Sequence, residues 1–337
     1  MMERTELYAQ ELHERAMVID GTMVILRDYV DYLRKIRDAG VTCVVLTLVA
    51  NETFVTTIKS IGDWYGRLEK ASDVALLADS VSKIETAKKE GKVAVVFACQ
   101  SGSPIEDDIG YLDILKRLGL RVMALAYNQR NLIGDGSTER TDCGLSAYGV
   151  EVVQEMNRLG MVIDLSHCGD RTTLDAIELS KKPVLVSHSN ARAVCDHPRN
   201  IPDNIITELA RKGGVMGMNA YPGFLRSGGN AAFGDFLDHV DHVCRLVGPE
   251  HVGLGLDIAE TRRREDYLTK DGELGFGKTK YDPKLFLPWP WASPAEIDSV
   301  SKISNITKGL VKRGYSDPDV LNILGGNYLR VFKDVIG

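Results

Sequence analysis

The sequence predicts an α/β fold closed as a single (β/α)8 TIM barrel, and three observations predict it. Eight short apolar runs recur along the 337 residues, each followed by a helical pattern, with no return to antiparallel patterning. The runs are rich in β-branched residues and nearly continuous in hydrophobicity, as strands buried on both faces are. The residues at their carboxyl ends are polar and chemically capable, and a barrel gathers its active site on that face.

In chain order, Glu6–Arg15 reads as a short amphipathic helix, and Met17–Ile19 starts the first strand, which ends in Asp20-Gly21-Thr22. A helix over Asp28–Asp38 is closed by Gly40, and Cys43–Val49 is the second strand. Ile58–Lys88 reads as two helices meeting near Ala71–Asp73, ended by Gly91 as glycine does just past a helix. Val93–Cys99 is the third strand and Ile109–Leu118 its helix; Val122–Tyr127 is the fourth. A polar loop, Asn128–Thr141, leads to the helix Ser146–Leu159. Strands five and six, Val162–Leu165 and Val184–Val186, flank a helix over Asp170–Ser180. After a helix at Asp203–Lys212 come strand seven, Val215–Tyr221, the helix Phe233–Val247 and strand eight, Val252–Ile258. Residues 259–292 are rich in charge, glycine and proline; a loop of that length after strand eight is expected to be an insertion or lid. Helices at Ser293–Arg313 and Asp317–Val335 complete one domain over residues 1–337.

Composition narrows the function. The chain is 44% hydrophobic and 26% charged, ordinary globular values, and its net charge of −6 comes without a basic stripe, which argues against nucleic acid. The first fifteen residues are polar, and no apolar run approaches the roughly 20 residues of a membrane span. Six scattered cysteines without a C-x-x-C read as reduced core thiols, so a cytoplasmic, membrane-free setting is expected.

The strand ends supply the candidate chemistry. Strands five and six both finish in Ser-His, at His167 and His188, some twenty residues apart across one helix. Two imidazoles in the same register on neighbouring strands form a candidate metal pair, because neutral imidazole is the commonest metal ligand. The other strand ends carry Asp20, Gln100, Tyr127, Tyr221 and Asp257, and Arg199 follows strand six. This set meets the needs of metal-assisted hydrolysis: imidazoles for an ion that polarises a carbonyl and activates water, a carboxylate for proton transfer, an arginine to clamp a substrate carboxylate. Each residue also has a structural alternative: Asp257 as a turn residue, Arg199 as a surface charge paired with Asp203, the tyrosines as packing. His197, His239, His242 and His251 fall on loops or helices and read as surface residues, and Cys99 and Cys168 as small core residues beside the site.

Five stretches together resemble the membrane (renal) dipeptidase family, the M19-type metallopeptidases of the amidohydrolase superfamily. They are Gly144–His167, Pro183–Arg192 (P-V-L-V-S-H-S-N-A-R), Pro198–Asp203, His251–Asp257 (H-V-G-L-G-L-D) and Gly325–Phe332 (G-G-N-Y-L-R-V-F). The resemblance implies a metal-dependent hydrolase architecture, usually dimeric, that cleaves dipeptides or related small amides at a two-zinc site. Carried over, it makes His167 and His188 ligands of the second zinc, Asp257 the acid/base carboxylate, Arg199 the anchor for the substrate's terminal carboxylate, and Tyr221 part of the pocket. Asn128, beside Tyr127, is counted with the substrate contacts.

Three positions depart from the family's pattern. The first strand ends in Asp20-Gly21-Thr22-Met23-Val24, where the family has Asp-Gly-His-x-Asp. Gln100 replaces the bridging glutamate, and an amide cannot bridge two cations as a carboxylate does. Tyr127 stands where the family has a histidine that steadies the oxyanion; its hydroxyl is the substitute donor. The expectation is therefore a divergent subgroup with one zinc or other divalent ion on His167 and His188, completed by Gln100 or Asp257 and water. The competing expectations are a catalytically silent barrel binding a small carboxylate, and a metal-dependent lactonase or deaminase.

Overall fold

Nine parallel strands surround a shared axis in the computed structural model, which describes residues 2–258, 260–268, 275, 276, 279, 280 and 286–337. The elements in order are α1 (Met2–Arg15), β1 (Val18–Met23), α2 (Tyr29–Asp38), β2 (Val41–Val49), α3 (Phe54–Lys70), β3 (Ala75–Leu77), α4 (Val81–Glu90) and β4 (Val93–Cys99). Then come α5 (Tyr111–Arg117), β5 (Leu120–Ala124), α6 (Ala147–Leu159), β6 (Val162–Asp164), α7 (Asp170–Leu179), β7 (Leu185–Ser189), α8 (Asp203–Arg211), β8 (Val215–Met218) and α9 (Pro222–Leu225). The remainder is α10 (Phe233–Val247), β9 (Val252–Leu254), α11 (Ser304–Arg313), α12 (Asp317–Leu321) and α13 (Asn327–Val335). Pairing runs β2-β1-β9-β8-β7-β6-β5-β4, and β2 also pairs with β4, so eight parallel strands close the TIM barrel that the sequence predicts.

The ninth strand is β3, which lies in the stretch read as two helices. It pairs with the start of β4 (Ala75 opposite Val93), and β5 takes over the same edge further up (Leu120 opposite Phe97). Three residues are too few to establish a period of two, so the sequence pattern around Ala71–Asp73 does not reveal it.

Two apolar layers hold the barrel. Inside it, Ile19, Val45, Val96, Val122, Val162, Leu185 and Val215 project from successive strands and are fully buried. Tyr328, Val331 and Phe332 of α13 join this inner cluster, so the last helix covers the amino-terminal opening. Tyr328 is fully buried with its hydroxyl donating to Ser187 O at 2.8 Å. Glycines make that room: a Cβ at Gly21, Gly217 or Gly253 would come within 2.1, 2.4 and 2.3 Å of the Tyr328 ring or hydroxyl. The outer layer packs the helices on the strands.

Strands four, seven and eight of the sequence reading run on to Tyr127, Tyr221 and Ile258; the structure ends them at Ala124, Met218 and Leu254. The backbones leave the ladder there, at Asn128 and Asp257 by left-handed turns, and so carry polar side chains over the mouth. The C-terminal helices are also more broken than expected. A 3-10 turn at Val300–Lys302 precedes α11, and a π-turn at Asn322–Gly326 separates α12 from α13. Gly325 sits in that turn against Met17 O, where a Cβ would approach to 1.9 Å.

Much of the expected lid, about 259–292, lies outside the described residues. Its described root is fastened to α2: Glu260 accepts from Tyr32, Lys35, Ser299 and the Val300 backbone N–H. Arg27 grips Asp266 with two hydrogen bonds of 2.6 Å. Among the described residues no helix is long and apolar enough to cross a membrane.

Candidate active site

The barrel mouth holds a cavity of about 250 Å3. Its floor and walls include Gln100, Tyr127, Asn128, His167, Arg199, Tyr221 and Asp257. The candidate residues picked from the strand ends therefore share one site, except that His188, just beneath the floor behind His167, and Asp20, sealed below, do not line it.

The two histidines meet head to head, with His167 Nε2 2.8 Å from His188 Nε2. Backbone geometry arranges this. His167 and Asn128 both adopt left-handed φ, +69° and +60°, rare for non-glycine residues and concentrated at functional sites. The loop after β5 holds both in place: Ser137 N donates to His167 O and Thr138 N to Asn128 O, each at 2.8 Å. Gly136 lies flat on Asn128, where a Cβ would be 2.2 Å from the Asn128 carbonyl carbon. Tyr127 stacks on the His167 ring at 4.2 Å between centroids.

The surrounding polar groups fix both imidazole tautomers. Asn128 Oδ1 lies 2.8 Å from His167 Nδ1, so that nitrogen carries the proton. His188 Nδ1 faces two hydroxyls, Ser187 at 2.7 Å and Thr22 at 2.9 Å. Both have their own protons committed: Ser187 donates to Asp164 Oδ2 at 2.6 Å and Thr22 to Gly21 O at 2.7 Å. They must therefore accept from His188 Nδ1–H. Each Nε2 is left with a lone pair, and the two lone pairs point at one another. That contact is repulsive unless a proton is shared between them or a cation sits off the line joining them, since ion–nitrogen distances of about 2.0–2.1 Å exceed half the 2.8 Å gap. Burial, followed by the positive charge of Arg199, holds His167 well below the ordinary imidazole pKa and His188 down at about 4. A shared proton is thus disfavoured.

This donor set does not fit a two-metal centre. Thr22 and Val24 offer neither imidazole nor carboxylate, and Gln100 spends its amide nitrogen on Thr47 Oγ1 at 3.0 Å. Among the described residues no three His, Cys, Asp or Glu side chains assemble as a metal cluster. The remaining candidate donors for a cation are the two imidazole nitrogens and the Gln100 carbonyl oxygen, which lines the same cavity.

Arg199 is the other unusual group. It is fully buried, and no carboxylate among the described residues pairs with it. Nη1 donates to Ser189 Oγ and Nη2 to His188 O, both at 3.2 Å, while Nε has no partner. Burial lowers its pKa to about 10. The alternative pairing with Asp203 is not formed; His242 takes Asp203 at 2.8 Å. A buried guanidinium with spare donors at a cavity is suited to an anionic ligand.

Asp257 also has a left-handed backbone (φ +52°) and forms an ion pair with Arg262, a residue of the loop after β9 that no motif marks. Asp20 is sealed below the site. Its Oδ1 accepts from Leu256 N and Thr22 N, its Oδ2 has no partner, and burial raises its pKa to about 7. The network of Asp164, Ser166, Ser187 and Thr22 beneath the histidines was not among the candidates. Its only sequence signal is the serine that precedes each histidine.

Two histidines read as surface residues prove buried. His239 accepts from Ala191 N through Nδ1 and faces Leu225 O through Nε2, each at 3.1 Å. His197 caps the Arg199 backbone N–H at 3.0 Å. Both are spent on fastening loops around the site. Cys99 and Cys168 are buried free thiols, as expected, but Cys143 is exposed and so departs from the reading of all six as core thiols.

Known proteins resemble this chain in sequence and in fold. The model of one family, membrane dipeptidase (peptidase family M19), matches residues 51–266. The dipeptidase verJ of Clonostachys rogersoniana is 32% identical over 289 residues, 84% of this chain and 66% of its own length. An uncharacterized dipeptidase of Schizosaccharomyces pombe is 32% identical over 253 residues, 73% of this chain and 54% of its own length. The chain thus spans about half to two thirds of these curated relatives. A crystal structure of an amidohydrolase from Pseudomonas aeruginosa superposes with a TM-score of 0.90 at 32% identity, covering 97% of this chain and 98% of that one.

Proposed function

The chain belongs to the membrane dipeptidase family, peptidase family M19, and on that premise we propose that it is a hydrolase of dipeptides or related small amides working with one divalent cation. The observation that carries this reading is the pair of bare Nε2 atoms of His167 and His188, 2.8 Å apart with both tautomers fixed. His167 and His188 would hold the ion, with Gln100 as the third protein ligand; zinc is the family's metal. Such an ion supplies a Lewis acid that polarises the substrate carbonyl and activates water.

The chain's own residues do the rest. Arg199 binds the substrate's terminal carboxylate, and its burial makes that interaction strong because little water competes. Asp257, at the mouth, accepts a proton from attacking water and returns it to the leaving amine. Arg262 pairs with Asp257 and aims it. The Tyr127 hydroxyl donates toward the developing oxyanion, while Tyr221 and Asn128 contact the substrate. The partners in this reading are a small amide or dipeptide and a second copy of the chain as a homodimer, in the cytoplasm, without nucleic acid or membrane.

Metal analysis and turnover together test the proposal. Protein purified without added metal is expected to bind about one equivalent of zinc, lost in His167→Ala, and dipeptide turnover is expected to vanish in Asp257→Asn. The absence of stoichiometric metal, with unaltered turnover in both variants, defeats it. A second reading, a silent carboxylate-binding barrel, is favoured by the lack of a third clustered ligand among the described residues. Any dipeptide turnover that Asp257→Asn abolishes rules that reading out.

A further inference from the structure

We infer that the pocket selects a bulky apolar or aromatic side chain on the carboxylate-bearing residue of its substrate, and that Phe224, Phe286 and Trp291 form the wall that selects it. The inference rests on Arg199 as the carboxylate anchor proposed above. It adds what sits beside that anchor.

Arg199 and Phe224 are locked to each other. The guanidinium carbon stands 5.2 Å from the centre of the Phe224 ring. Asn200, the next residue after Arg199, donates through Nδ2 to Phe224 O and to Cys195 O, both at 2.8 Å. The loop that carries the cation is therefore bonded to α9, which carries the ring. A carboxylate on Arg199 has its own Cα, and hence its side chain, beside that ring.

The wall is prepared to receive apolar surface. Tyr221, Phe224 and Trp291 form an apolar cluster apart from the barrel cores, with Phe286, Leu287 and Trp289 packed on it. The polar ends of two of these rings are tied to one residue's backbone: Leu287 N donates to Tyr221 Oη at 2.9 Å, and Trp291 Nε1 donates to Leu287 O at 2.6 Å. Ring contacts of 4.6 Å (Tyr221–Phe224) and 5.8 Å (Tyr221–Trp291) hold the set together. What remains to face the cavity is hydrocarbon.

The cavity's carboxylates come from elsewhere: Glu52 follows β2, opposite β7 across the eight-strand ring, Asp257 is held by Arg262 and Asp266 by Arg27. An acidic or polar side chain laid on these aromatic rings would lose its hydration against hydrocarbon, at a cost larger than an apolar group meets. The volume of about 250 Å3 falls below the roughly 300–1,000 Å3 of drug-sized sites and suits a ligand of one or two residues.

The test is a specificity series on the zinc-loaded protein, together with a binding measurement that needs no turnover. Gly-Phe and Gly-Leu are expected to exceed Gly-Gly and Gly-Asp in kcat/KM by about tenfold or more, the scale on which an apolar pocket discriminates. Phe224→Ala and Phe286→Ala are expected to shrink the Gly-Phe to Gly-Gly ratio about tenfold. By calorimetry N-acetylphenylalanine should bind more tightly than N-acetylglycine, with the difference lost in Phe224→Ala and in Phe224→Ser. Equal affinity for the two acetylated amino acids, or a Gly-Phe to Gly-Gly ratio near one, overturns the inference even if the protein hydrolyses both dipeptides. No turnover of any dipeptide, with the phenylalanine preference intact in binding, overturns the hydrolase reading and leaves this inference standing.

Discussion

His167 and His188 face each other through Nε2 atoms 2.8 Å apart, each ring having its proton on the far side. Neighbouring imidazoles ordinarily resolve such a contact by one donating to the other. Here the Asn128 carboxamide oxygen and the committed Ser187 and Thr22 hydroxyls prevent it. Thr22, which stands where the resembled family has a histidine, thereby accepts from the imidazole of His188 on another strand.

Asn128 should therefore govern metal affinity without touching the metal. Asn128→Leu is expected to weaken zinc binding about 10–100-fold in chelator competition, the usual range for losing such a supporting partner. Asn128→Asp keeps an acceptor oxygen on Nδ1 and should stay close to the natural protein. Unchanged affinity in Asn128→Leu would show that the tautomer is set by something else.

The barrel and its site were unequally legible in the sequence. The strands were readable because each is a continuous apolar run, and the histidines because both end such runs in Ser-His. Burial of Arg199 and His197 was not, since both sit in a polar loop that folds back over the site only in three dimensions; His239 differs, because it shares a helix face with Phe236 and Val243 of α10, a periodic signal for burial that its polar neighbours in sequence mask. Arg262 and the aromatic wall escaped for the same reason as Arg199: Tyr221 and Trp291 are far apart in sequence and meet through Leu287. The three-residue β3 is too short to leave a period.

Arg199 spends stability on function. A buried guanidinium without a counter-charge stabilises a fold poorly, and an apolar replacement of similar length is often tolerated. Arg199→Met is expected to change folding stability by no more than about 1 kcal/mol while weakening N-acetylphenylalanine at least about 30-fold, since losing one partner of a desolvated charge pair costs about 2–5 kcal/mol. Thermal unfolding and calorimetry on the same variant check both halves. Retained carboxylate affinity would move the anchor elsewhere.

His239 should make the fold acid-sensitive. Burial lowers its pKa to about 4, against 6.5 for the unfolded residue. The unfolded chain therefore binds the extra proton first. This group's contribution is fully present above about pH 6.5 and is lost as pH falls toward 4, by up to about 3 kcal/mol. The geometry agrees, because a proton on Nδ1 would oppose the Ala191 N–H that it now accepts. His239→Gln should flatten the unfolding midpoint between pH 6.5 and 4 relative to the natural protein. An identical acid slope in both proteins would assign the sensitivity to other groups.

The fit of Tyr328 into the strand glycines predicts a coupling energy. In Gly253→Ala the new Cβ would stand 2.3 Å from Tyr328 Cε2, far inside contact distance, and the ring is held by its bond to Ser187 O. Overpacking of that kind costs about 1–3 kcal/mol. Tyr328→Leu alone loses the hydrogen bond and leaves a void, a large-to-small loss on the order of 3 kcal/mol. Because one change supplies the space that the other needs, the double variant should be less destabilised than the sum by about 1 kcal/mol or more, as coupled neighbours are. Tyr328 also braces the carbonyl immediately before His188, so Tyr328→Phe, which keeps the ring and drops the hydroxyl, should cost about 1 kcal/mol and weaken zinc by severalfold. Strictly additive losses in Gly253→Ala and Tyr328→Leu would mean that the strand relaxes away from the ring and that the close fit is not what holds β9 in register.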